Sequence, residues 1–169
     1  MTYAFAFLAA AGLAFAMAAD GPALLFAGAA GQVTPADQRA IFAVLDLKVA
    51  PDGKGFLDTL CEQPADATVE LRDMNGDGKE EVLVVYGNTC TSGMAGASVI
   101  LFIKNAAGKY EANLGFPGVT ADPKPEKSQG YPDLLIGGPG FCFPVWRWDG
   151  KAYDFSRNEP QEPGGCDNR

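Results

Sequence analysis

Asp73-Met74-Asn75-Gly76-Asp77-Gly78-Lys79-Glu80-Glu81, followed at once by Val82-Leu83-Val84-Val85-Tyr86, is the stretch whose reading decides the fold. Oxygen-bearing side chains fall at alternate positions, glycines supply the turn, and a β-branched apolar run follows. Asn and Asp stabilise turns through their own side chains, and Val favours extended chain. The stretch therefore reads as a loop feeding a central strand. Thr68-Val69-Glu70-Leu71-Arg72, just before it, alternates apolar and polar residues and reads as the strand that enters the loop.

The same residues suggest a cation. Calcium takes about six to eight oxygen ligands in a flexible shell. Asp73, Asn75 and Asp77 offer side-chain oxygens, Lys79 its backbone carbonyl, and Glu81 closes the set. An EF-hand would place Glu at the twelfth loop position; here that residue is Val84, and strands rather than helices flank the loop. A metal-free loop held by Asx turns is the alternative reading, with Arg72 and Lys79 relieving the carboxylates.

Outward from the loop, Ser98 to Ile103 is a further strand, Asn105 to Gly108 its turn, and Lys109-Tyr110-Glu111 the start of a return strand. Residues 115 to 132, rich in Gly and Pro, read as a long loop. Asp133 to Ile136 and Phe141 to Trp148 are strands, and Asp149-Gly150 turns into Lys151 to Phe155. Upstream, Thr34-Pro35-Ala36-Asp37 is a helix start, with Thr as cap and Pro in the first turn. The spacing predicts a helix over 35–47. Leu47 to Leu57, turning at Asp52-Gly53, reads as a hairpin.

The two halves of the strand region echo each other. Glu81-Val82-Leu83-Val84 and Asp133-Leu134-Leu135-Ile136 each place an acid before an apolar strand, and each reaches a cysteine nine residues later, Cys90 and Cys142. Each then runs through an apolar strand to a Gly-Lys turn with a Tyr close behind, Tyr110 and Tyr153. Two copies are too few for a solenoid or a closed propeller. The repeat favours pairing Cys90 with Cys142 and Cys61 with Cys166; Cys61–Cys90 with Cys142–Cys166, and Cys61–Cys142 with Cys90–Cys166, stay open.

The acidic loop resembles the calcium loop of the FG-GAP and VCBS repeats, the integrin-type propeller units, and Asp133-Leu134-Leu135-Ile136-Gly137-Gly138-Pro139-Gly140 resembles the end of such a unit. Glu81 stands where those repeats carry Asp, and the second half lacks the acidic loop. The resemblance implies a non-catalytic β module with calcium as a structural ion. The order of helix, hairpin, acidic loop and Gly-Gly-Pro-Gly-Phe-Cys-Phe-Pro-Val-Trp-Arg-Trp also resembles a group of small exported bacterial proteins.

Composition bounds the rest. Residues 3–19 carry no charge and end in Ala16-Met17-Ala18-Ala19, so 1–19 read as a cleaved signal peptide, with an uncleaved membrane anchor as the alternative, and the protein as periplasmic or secreted. Residues 20–33 read as a flexible segment, 34–157 as one β-rich domain, and 158–169 as a polar tail tied by Cys166. Net charge is −8, which argues against nucleic acid and, once the signal is cleaved, anionic membranes as partners. There is no His, so a Ser-His-Asp or Cys-His site is impossible. A two-carboxylate site at Asp133 and Asp149 is the formal remainder, and no catalytic residue is assigned. Trp146 and Trp148 share a strand face. With Tyr131 they are a candidate sugar-stacking surface unless the core takes them, in which case Arg147 between them points to solvent. The expected fold is a small antiparallel β module with one N-terminal helix, built from two degenerate repeats. Its expected role is binding a protein partner, including the inhibition of a hydrolase, with carbohydrate as the other ligand class.

Overall fold

The computed structural model describes residues 20–167; the segment expected as a signal peptide lies outside them. Ten strands form two antiparallel sheets. The first holds β1 (Leu47–Val49), β2 (Phe56–Asp58), β3 (Pro64–Arg72), β4 (Glu81–Gly87), β5 (Ser98–Lys104) and β6 (Tyr110–Pro117) in sequence order. The second holds β7 (Thr120–Ser128), β8 (Tyr131–Gly137), β9 (Cys142–Trp148) and β10 (Tyr153–Pro160). Three short α-helices, α1 (Gly21–Leu25), α2 (Pro35–Phe42) and α3 (Thr89–Ser92), and two 3-10 turns, Ala27–Ala29 and Gly93–Ala95, complete the regular elements of the described residues. The mainly β class with few helices is thus as expected.

The apolar runs of β4 and β5 dictate three layers. On β4, Val82 and Val84 face one side, where Leu25, Phe26, Val33 and Ile41 of the N-terminal segment pack on them. Leu83 faces the other side and joins Leu101 and Leu114 against Leu134, Ile136 and Trp148 of the second sheet. A strand buried on both faces reads as a continuous apolar run rather than as an alternation. Val82, Val84, Leu101 and Phe102 are all fully buried.

Three expectations are corrected. Residues 20–33 are not a loose leader: Leu25, Phe26, Ala29 and Val33 are buried in the helix-side core, and Phe26 is 1% exposed. The helix at Pro35 begins on its expected cap, Thr34 accepting from the Asp37 amide at 3.1 Å, but ends at Phe42 so that Leu47 can enter β1. The supposed loop at 115–132 is the end of β6, all of β7 and the start of β8. Only Ala121 of β7 is buried, so no hydrophobic period betrays it. Its prolines, Pro123 and Pro125, are tolerated because β7 is an edge strand whose ladder breaks between Pro123 and Lys127.

The favoured disulfide pairing is also corrected. Cys61 pairs with Cys90, and Cys142 with Cys166. Each bridge is local, with sequence separations of 29 and 24, instead of crossing between the repeats. The chain-entropy estimate for loops of that size is about 3.5 kcal/mol apiece.

The β6–β7 connection runs tightly against β8. A Cβ at Gly118 would lie 2.5 Å from Ile136 Cγ2 and 2.9 Å from the Gly137 carbonyl oxygen. Backbone cannot yield as a side-chain tip can. Gly118→Ala is expected to cost about 2 kcal/mol and to lower the Tm by on the order of 5 °C. A melting curve superimposable on the parent's would contradict this close approach.

Candidate functional site

The acidic loop is wound around one carboxylate. Asp73 Oδ1 accepts from the amides of Gly76 at 2.8 Å and Asp77 at 3.1 Å, and Oδ2 from Gly78 at 2.9 Å. Asn75 Oδ1 accepts from the Asp77 amide, and Asp77 Oδ1 from the Lys79 amide, both at 2.8 Å. Gly76 and Gly78 take φ of 82° and 80°, the left-handed backbone such winding needs. Asp73, Asn75, Asp77 and Lys79 are therefore brought into one turn, as their spacing indicated.

Glu81 is placed differently. It is 3% exposed, and both of its oxygens are engaged: Oε2 accepts from the Met74 amide at 2.8 Å, and Oε1 from the Tyr131 hydroxyl at 3.0 Å. Among the described residues no three carboxylates gather as a metal-holding group. The expected five-residue ligand set thus divides. Four members share the turn, while Glu81 turns into the seam between the sheets. Burial pushes its carboxyl above the ordinary 4.5; the Met74 amide and the Tyr131 hydroxyl offset only part of that. Burial likewise pushes the Tyr131 hydroxyl up, and the Glu81 charge adds to it.

Sequence reasoning missed the residues that anchor the loop. Met74, at its second position, is 6% exposed and packs into the inter-sheet core. The Tyr110 hydroxyl on β6 donates to the Glu80 carbonyl at 2.8 Å. An apolar residue inside an otherwise polar turn was the available signal for Met74. Arg72, expected to relieve the loop's charge, pairs with Glu70 instead.

Tyr131 and Trp148 belong to the core, while Trp146 is half-buried at its edge. Tyr131 and Trp148 are each 8% exposed and pack on one another with centroids 4.5 Å apart; Tyr153 closes on both. Trp146 stands edge-on to Phe116 at 5.5 Å and Phe155 at 6.5 Å. Tyr131 and Trp148 thus spend their faces on one another and on Tyr153 rather than on a shared surface with Trp146.

The two carboxylates of the formal glycosidase pair are also occupied. Asp133, fully buried, is gripped by Arg147 Nε at 3.1 Å and Nη2 at 2.9 Å, and by Arg157 Nη1 at 2.9 Å. Arg147 stays half exposed, as expected, and pairs with Asp133 from the solvent side. The two arginines, Arg147 first, hold the Asp133 carboxyl below its ordinary value against burial. Asp149 caps the β9–β10 turn through the Ala152 and Lys151 amides, both at 2.7 Å, which hold it low as well.

Compared with known proteins, the chain matches no family model, no curated protein and no solved structure.

Glu81 sets a pH dependence of definite sign. A carboxyl raised in the folded state contributes most below its ordinary pKa, and that contribution is lost as pH rises through the raised value. Tyr131→Phe removes the hydroxyl donor and raises Glu81 further. In calcium-free buffer the variant should lose about 1–3 kcal/mol at neutral pH, and less below the ordinary carboxylate range. Urea unfolding at several pH values checks this; a loss independent of pH would detach Tyr131 from the Glu81 charge.

Proposed function

We propose that this chain is an exported, non-catalytic β module that holds calcium in its acidic loop and acts by binding another protein. The carrying observation is the winding of residues 73–79 around the Asp73 carboxylate, with Asn75 and Asp77 at alternating positions. Asp73, Asn75, Asp77 and the Lys79 carbonyl would hold the ion, with water completing the shell. Calcium there supplies positive charge that lets Asp73 and Asp77 sit together. The four donors fit such an ion; Glu81, bonded elsewhere, takes no part. The likeness to FG-GAP and VCBS loops supports the same reading.

Support for a binding role is chemical. The buried carboxylates Asp58, Glu81 and Asp133 all accept hydrogen bonds from structural partners. Met94, Phe141 and Phe155 keep their side chains on the surface, residue types that contact surfaces favour. Two disulfides suit an oxidising compartment such as the periplasm or the exterior. No described helix is long and apolar enough to cross a membrane.

A ligand that binds only the folded state stabilises it by mass action. At free calcium about tenfold above Kd the gain is about 1.4 kcal/mol, a rise in Tm on the order of 4 °C. Asp77→Ala should abolish the rise while leaving the calcium-free Tm nearly unchanged. A melting temperature indifferent to both calcium and EDTA would end the metal reading.

A further inference from the structure

At the opposite end of β4 from the acidic loop lies a second polar site. Gly87, the last residue of β4, borders a pocket of about 160 Å³. Asp46, Asp58, Tyr86, Thr91, Ser92 and Ser98 line it. Ligand pockets for drug-sized molecules run roughly 300–1,000 Å³, so this one is sized for a single functional group.

Its chemistry is that of an acceptor. Asp58 is 1% exposed and is held ionised, the Cys61 amide first among its donors, followed by Asn88 and Gln63. Oδ1 accepts from Cys61; Oδ2 accepts from Gln63 at 3.0 Å and from Asn88 Nδ2 at 2.7 Å. A carboxylate offers about four acceptor positions, and the Leu60 amide is a fourth donor to this one. The other buried acid on this scale, Asp133, has two arginines; among the ion pairs of the described residues Asp58 has none. Ser92, 6% exposed, bonds to Ser98 at 2.8 Å, and both hydroxyls keep acceptor capacity. Asp46, an exposed acid, also lines the pocket.

Asp58 forms no ion pair among the described residues, and together with the Ser92 and Ser98 hydroxyls it gives the small pocket an acceptor-rich, negative lining that a cation complements. No three acids converge, so the site does not suit a metal ion. Leu60, 78% exposed, forms an apolar wall at its rim. The Cys61–Cys90 bridge fixes that rim to the α3 segment. Charged tip and apolar stem together describe an alkylammonium. A compact ammonium with three donors suits a mixed carboxylate and hydroxyl lining, whereas a planar guanidinium wants a bidentate partner.

We propose that this pocket binds a primary alkylammonium group, as carried by a lysine side chain of a partner or by a free amine. The site is independent of calcium, so loss of the metal reading would leave it standing.

The test is an amide NMR titration of the ¹⁵N-labelled protein at matched ionic strength. Nα-acetyl-lysine methylamide should give saturable shifts at Gly87, Thr91 and Ser92, and the norleucine analogue none. The arginine analogue should bind more weakly. A butylammonium salt as effective as the lysine derivative identifies a free amine; a tighter lysine derivative identifies a peptide side chain. Asp46→Asn should weaken binding about tenfold, the scale of one charge-assisted contact, and Asp58→Asn should abolish it. Should Asp58→Asn fail to fold, Asp46→Asn and the pocket-filling Ser98→Val decide. Shifts that sodium chloride reproduces, or that Asp46→Asn and Ser98→Val leave unchanged, overturn the proposal.

Discussion

The carboxylate of Glu81 ties together the three parts of the molecule that depend on one another. It opens β4, receives the Met74 amide of the acidic loop, and receives the Tyr131 hydroxyl from the second sheet. An acceptor buried to this extent costs free energy unless hydrogen-bonded. Its two donors therefore fix where the loop closes and how the sheets meet. Tyr131 passes the constraint on to Trp148 and Tyr153, with which it packs.

The repeat has a physical meaning in this light. Val82 and Val84 of β4 pack back onto the helical layer, and Leu134 and Ile136 of β8 pack back onto the first sheet. Each half thus buries equivalent residues against the layer before it. The acids that precede them, Glu81 and Asp133, are equivalent too. Glu81 is covered by the sheet that follows and takes a tyrosine hydroxyl. Asp133 has no following sheet among the described residues, and Arg147 and Arg157 cover it instead. Arg157 continues to Glu159, which pairs with Lys124 at 2.6 Å.

Much of this was legible in the chain. The apolar run 82–86, the acidic turn, the Thr34 cap and the Asp149-Gly150 turn each act within a few residues, where local chemistry decides. The edge strand β7 was not, because an edge strand under a polar face needs no hydrophobic period and can carry Pro123 and Pro125. The disulfides escaped for another reason. Equivalence in a repeat says nothing of distance, and Cys90 lies near Cys61 because the β2–β3 turn folds against α3, a contact made through Asn88 and Asp58. The burial of Leu25 and Phe26 was hidden by the Ala and Gly around them. The role of Glu81 was the subtlest: its position fits a metal loop, and only the tyrosine fifty residues away shows that its carboxyl is engaged by the fold.

Glu81 is engaged by the fold, whereas Asp73 and Asp77 are the carboxylates proposed to hold calcium. Side-chain carboxyl ¹³C NMR during a calcium titration at neutral pH separates the two. The account predicts that the Asp73 and Asp77 carboxyl resonances move together and saturate, while that of Glu81 stays in place. A Glu81 resonance that moves with them as a ligand would contradict it.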